Sequence, residues 1–178
     1  MNEFALRRPP PASPYRPSGR VLRASALVLS GTLAALRKRT GRESACFWAG
    51  TIDGDGHGRV EAIVVPRQVN SPFNYTVPTD AMKEVATTCR ARGWTIVGAI
   101  HTHPGLAVEH SRYDDQMTPS RRAVSLVIPM YGKWAGAWPN GFGVHEFVEG
   151  YWHLLSQEAA TARVQFTDEA RPELLELR

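Results

Sequence analysis

The chain switches between two hydrophobic periods, and each switch marks an element. From Val21 to Arg39 the apolar residues Leu22, Ala26, Leu29, Leu33 and Leu36 recur at spacings of three and four, and Arg37-Lys38-Arg39 follow, which suits a helix C-terminus. This spacing predicts a first helix. The period then drops to two: Ser44–Ile52 and Arg59–Val65 read as strands around the Gly-rich loop Asp53 to Gly58, a hairpin signal. Pro66 to Pro78 is polar and turn-rich. Thr79 is expected to cap a helix running through Met82, Val85 and Cys89 to Gly93. Trp94–Ile100 reads as a buried strand whose end delivers His101, and a short helix begins near Ser111 and stops near Pro119. Further strands are expected at Arg122–Pro129, Gly143–Val148 and Tyr151–Leu155, with weak helical character in the Glu-rich end. This order predicts an α/β domain, a mixed β-sheet flanked by helices.

Composition narrows the setting. Residues 7–19 carry five prolines, so 1–19 is expected to be an extended or disordered arm, 20–156 the domain and 157–178 an acidic tail. A chain of 178 residues buries a core without disulfides or a structural metal. The best apolar run, Ala24 to Leu36, is too short to span a membrane and lacks the layout of a signal peptide. With only Cys46 and Cys89, a reducing, cytoplasmic location is expected. Arg outnumbers Lys 18 to 3, as in chains from GC-rich bacteria. The net charge of +4 (21 minus 17) is polarised: residues 1–42 hold nine cations against Glu3 alone, and the remainder holds twelve against sixteen acids. An acidic body argues against a nucleic-acid face.

The chemistry converges on His101-Thr102-His103-Pro104. Strand periodicity points residues i and i+2 to one face, so the two imidazoles converge where an apolar strand ends, an arrangement that suits zinc. A third ligand is needed from the loop that follows, which offers Glu109, His110, Asp114 and Asp115. A carboxylate acting as general base is needed as well, and Glu43 opens the strand beside. His57, His145 and His153 carry no such pattern, and a cupin or nucleobase-deaminase reading lacks its remaining motif residues. Trp134 and Trp138 suit either a partner surface or closure of the core.

These residues resemble the JAMM (MPN-plus) metalloproteases of the JAB domain family. That family's pattern is an upstream Glu, His-x-His-Pro, six residues, then Ser-x-x-Asp. Here it is met by Glu43, His101-Thr102-His103-Pro104, Gly105 to His110, and Ser111-Arg112-Tyr113-Asp114. Gly50 also fits, while Cys46 stands where Gly is frequent and Glu61 is the other upstream carboxylate before an apolar strand. The resemblance implies a JAB/MPN domain with cytidine-deaminase-like layering. It implies one Zn²⁺ on His101, His103 and Asp114, with Glu43 moving the proton of the zinc-bound water and Ser111 stabilising the oxyanion. It further implies a bacterial isopeptidase or peptidase acting after the C-terminus of a ubiquitin-like protein, in a conjugation system with E1-like and E2-like partners and an antiphage setting. Pro66–Pro78 and Tyr131–Gly141 would then grip the partner, without nucleic acid or membrane. The alternatives are a small-substrate or sulfur-carrier-processing metallopeptidase and a non-catalytic, RadC-like scaffold.

Overall fold

The structure, a computed structural model, describes residues 8, 9, 11, 15–168 and 170–177. Strand β1 (Leu22–Ser25) runs directly into helix α1 (Ala26–Arg37), where the Ser25 hydroxyl accepts a hydrogen bond from the Leu27 amide. The hairpin β2 (Ala45–Ile52) and β3 (Gly58–Val65) comes next, followed by a small hairpin of β4 (Val69–Ser71) and β5 (Asn74–Thr76). Helix α2 (Thr79–Ala91) returns the chain to β6 (Thr95–Thr102), the short helix α3 (Arg112–Met117) leads to β7 (Val124–Ile128), and a 3₁₀ turn spans Met130–Gly132. Strands β8 (Gly143–Val148) and β9 (Tyr151–Leu154), helix α4 (Gln157–Arg163), and strands β10 (Val164–Asp168) and β11 (Glu173–Glu176) complete the order.

The main sheet is mixed, with strand order β10-β1-β3-β2-β6-β7-β8-β9 and β11 paired to β3. Alternation along β2 shows how it is covered. Cys46 and Trp48 point to a core with Val28 and Leu36 of α1, whereas Ala45, Phe47 and Ala49 point to a second core with Ala81, Val85 and Cys89 of α2. A strand buried on both faces reads as a continuous apolar run, as ACFWAG does here. The expected α/β class, a mixed sheet flanked by helices, is the one found.

Three local expectations change. Leu22–Ser25 is a strand rather than the first turn of the helix, because β10 and β3 pair with it in parallel. Thr79 begins α2 rather than capping it; Pro78 holds the cap position, with no side-chain cap bond. The end of the chain forms β11 beside β3 instead of a helix, and β10 and β11 carry residues 164–168 and 173–176 of the expected tail into the main sheet. The arm has no regular structure at its described residues, yet it is seated: Tyr15 bonds Glu146 and stacks on the His153 ring at 4.1 Å, while the Ser18 amide and hydroxyl donate to the Glu146 carboxylate.

Candidate metal centre

The register of β2 against β6 builds the site. These strands are antiparallel with Ala45 opposite His101. The pairing continues one step further: the Thr102 amide donates to the Ser44 carbonyl at 3.0 Å, and the Ser44 amide donates to the Thr102 hydroxyl at 3.0 Å. The next opposed pair is therefore Glu43 and His103, on the face that also carries His101. Beyond β6, the His103 amide donates to the Ile128 carbonyl and its own carbonyl accepts from the Tyr131 amide. This fixes the His-Pro segment to the end of the parallel neighbour β7.

Helix α3 brings the third group. Ser111 is its N-cap in a capping box: the Asp114 amide donates to the Ser111 hydroxyl at 3.2 Å, and the Ser111 amide donates to Asp114 Oδ2 at 2.7 Å. The Ser111 hydroxyl also donates to Oδ2, at 2.8 Å. With Oδ2 so anchored, the buried carboxylate faces the imidazoles. His101 Nε2 lies 3.2 Å from His103 Nε2 and 3.3 Å from Asp114 Oδ1, and His103 Nε2 lies 3.4 Å from Asp114 Oδ2.

His101, His103 and Asp114 thus form a group that can hold a metal ion. His103 Nδ1 lies 2.9 Å from the Ala107 carbonyl, which accepts only a proton donor. In the neutral ring this leaves the lone pair on Nε2, toward the other two groups. Burial pushes His101 down to about 4, against the pull of Asp114, so its ring is neutral at pH 7. For Asp114, burial is outweighed by His101 and His103, which hold the carboxyl well below its usual range. Burial raises Glu43 to about 7, with His103 opposing and Asp114 adding to the shift.

The other loop candidates do not join. Glu109 is exposed, and the His110 ring turns to Ser125 Oγ at 2.8 Å and Asp115 Oδ1 at 2.9 Å. His145 stacks on His110 at 3.9 Å, and neither of its ring nitrogens has a hydrogen-bond partner among the described residues. Burial carries the pKa of both rings well below the usual value. Glu61 pairs with Arg59 on β3, beside Ala49 and Gly50 and so toward the other end of β2. Trp138 packs edge-on against Phe166 and, with Trp134, lies against the α1-side core.

The sequence reading missed what holds Glu43. Where β3 leaves β2, the Gln68 side chain takes the place of a strand: Oε1 accepts from the Ala45 amide and Nε2 donates to the Ala45 carbonyl, both at 2.8 Å. Asn70 Nδ2 donates to the Glu43 carbonyl at 2.7 Å, and the Glu43 amide donates to the Ser71 carbonyl at 2.9 Å. Tyr113 binds the opposite strand of this hairpin, its hydroxyl donating to the Tyr75 carbonyl at 2.8 Å. Gln68 and Asn70 in a turn-rich stretch, and Tyr113 at a variable position of Ser-x-x-Asp, carry no spacing signal.

The architecture and this His-His-Asp group define a class, and the comparisons name it. The chain matches the prokaryotic homologs of the JAB domain over residues 25–135, which include all five site residues, and it belongs to that family. Solved structures of low identity share the fold. One is the solution structure of a protein from Desulfitobacterium hafniense, 16% identical with a TM-score of 0.64, covering 84% of this chain and 94% of that one. Another, from Salinibacter ruber (strain DSM 13855), is 17% identical with a TM-score of 0.55, covering 75% of this chain and 88% of that one. No curated protein matches the chain. No helix among the described residues is long and apolar enough to cross a membrane.

Proposed function

We propose that the chain is a zinc-dependent isopeptidase or peptidase that cleaves after the C-terminus of a ubiquitin-like protein. We place it in a cytoplasmic bacterial conjugation system with E1-like and E2-like partners and a role in antiphage defence. The substrate class rests on the resemblance of Glu43, His-x-His-Pro and Ser-x-x-Asp to the family pattern. The observation that carries the metal-dependent part of this reading is the spacing of the three ligand groups, 3.2 to 3.4 Å between facing atoms, with Asp114 facing His101 through Oδ1 and His103 through Oδ2. Ligands about 2.0–2.1 Å from a tetrahedral zinc stand about 3.3 Å apart. When bound, zinc brings the pKa of water toward ~7 and polarises a carbonyl.

The protein's own residues supply the rest. Glu43, opposite His103 across the β2–β6 pairing, takes a proton from the attacking water and returns it to the leaving amine. Ser111 keeps Asp114 aimed; turning its hydroxyl toward a developing oxyanion leaves its amide still on Oδ2. Around the site, Phe73, Leu106 and Met130 are exposed apolar side chains on segments tied to one another. The Tyr131 hydroxyl donates to the Pro72 carbonyl, and the Met130 amide donates to the Gly105 carbonyl. Such a rim suits an extended protein C-terminus better than a dipeptide.

The test is a gel assay of the zinc-loaded chain on fusions and conjugates of ubiquitin-like proteins, with Glu43→Gln as the inactive control. Cleavage after the ubiquitin-like C-terminus is expected. Activity on dipeptides alone would replace this reading with that of a small-substrate peptidase.

A further inference from the structure

One buried charge plays no part in the chemistry above. Arg8 lies on the Pro-rich arm, yet its side chain is only 9% exposed. It inserts between β9 and the segment that enters α3. Nε donates to the His110 carbonyl at 3.1 Å, Nη1 donates to the Trp152 carbonyl at 2.7 Å, and Nη1 lies 3.4 Å from Asp115 Oδ1. The guanidinium sits 4.5 Å over the Tyr151 ring, whose hydroxyl donates to the Pro9 carbonyl at 2.9 Å. Two carbonyls, a carboxylate and an aromatic face make a seat suited to the planar fork of arginine.

What Arg8 grips is specific. His110 and Asp115 bracket the stretch that contains Ser111 and Asp114, and α3 is six residues long, too short to hold its own shape. We propose that Arg8 is a positioning residue for the metal centre: the arm straps residues 110–115 against β9 so that Asp114 meets His101 and His103. This rests on the metal-centre reading. Groups that orient metal ligands typically change metal affinity by about 10- to 100-fold when removed.

The experiment measures zinc affinity of the full chain by competition with a chromophoric chelator, together with amide hydrogen exchange over residues 110–117. Arg8→Ala is expected to bind zinc about tenfold more weakly than wild type and to exchange faster in this segment. Arg8→Lys, which keeps the cation and loses the fork, is expected to fall between them, and it decides the matter if the alanine variant does not fold. Affinity within twofold of wild type in every folded variant overturns the proposal while leaving the metal centre standing. A wild-type chain that takes up no zinc overturns both.

Discussion

Glu43 faces His103 because two antiparallel strands keep their register past their last formal pair. That burial gives the carboxyl a pKa of about 7 has a measurable consequence in the metal-free protein. Between the usual 4.5 and about 7 the folded chain keeps a proton that the unfolded chain releases. Its contribution to stability is therefore complete below the lower value and is lost as pH rises through the upper one. Metal-free Glu43→Gln should gain stability relative to metal-free wild type between pH 4.5 and 8, as read from thermal melts; an unchanged difference would show that the carboxyl is not held in this way. In the zinc-loaded protein the same substitution should leave zinc bound and lower kcat by at least about a hundredfold. The two His of His-x-His-Pro and the Ser-x-x-Asp spacing were legible in the sequence because side-chain chemistry at fixed spacing is itself the signal. His110 and Asp115 were equally eligible as ligands by residue type. The resemblance to the Ser-x-x-Asp pattern singled out Asp114, and the structure agrees, turning His110 toward Ser125 and Asp115.

Helix α3 and the β4–β5 hairpin are the elements that make a site out of a sheet edge. The capping box predicts that Ser111→Ala destabilises the fold by about 1 kcal/mol and also weakens zinc binding, since the carboxylate loses one of its two Ser111 donors. Denaturant melts and zinc competition check the two effects separately. Gln68→Ala should lower turnover while zinc stays bound, because it removes the amide that holds β2 next to Glu43 and touches no ligand. Apolar runs bounded by turn residues gave β2, β3, β6, β7 and β8 to within two residues. The same reasoning missed β1, whose partners β10 and β3 lie far along the chain; pairing of that range leaves no local pattern. It missed the hairpin as well, since β4 and β5 have three residues each, too few to show a period.

At the scale of the whole molecule, the sheet sets how closely its elements approach. A β-carbon on Gly50 would lie 1.8 Å from the Arg59 carbonyl oxygen, at the bulge where β2 shifts register against β3. Gly50→Ala should therefore destabilise the protein by about 3 kcal/mol or more, seen as a shifted denaturant midpoint. The site lies within residues 25–135, and strands at or beyond the ends of that range extend the sheet on both sides, with β1, β10 and β11 on the β3 side and β8 and β9 on the β7 side. The central claim is that His101, His103 and Asp114 hold one zinc ion. It is tested most directly by elemental analysis of the freshly purified chain beside His103→Ala and Asp114→Ala. About one zinc per wild-type chain, lost in both variants, is the result expected; wild type that remains free of zinc after zinc is supplied, or variants that retain it, would contradict the account.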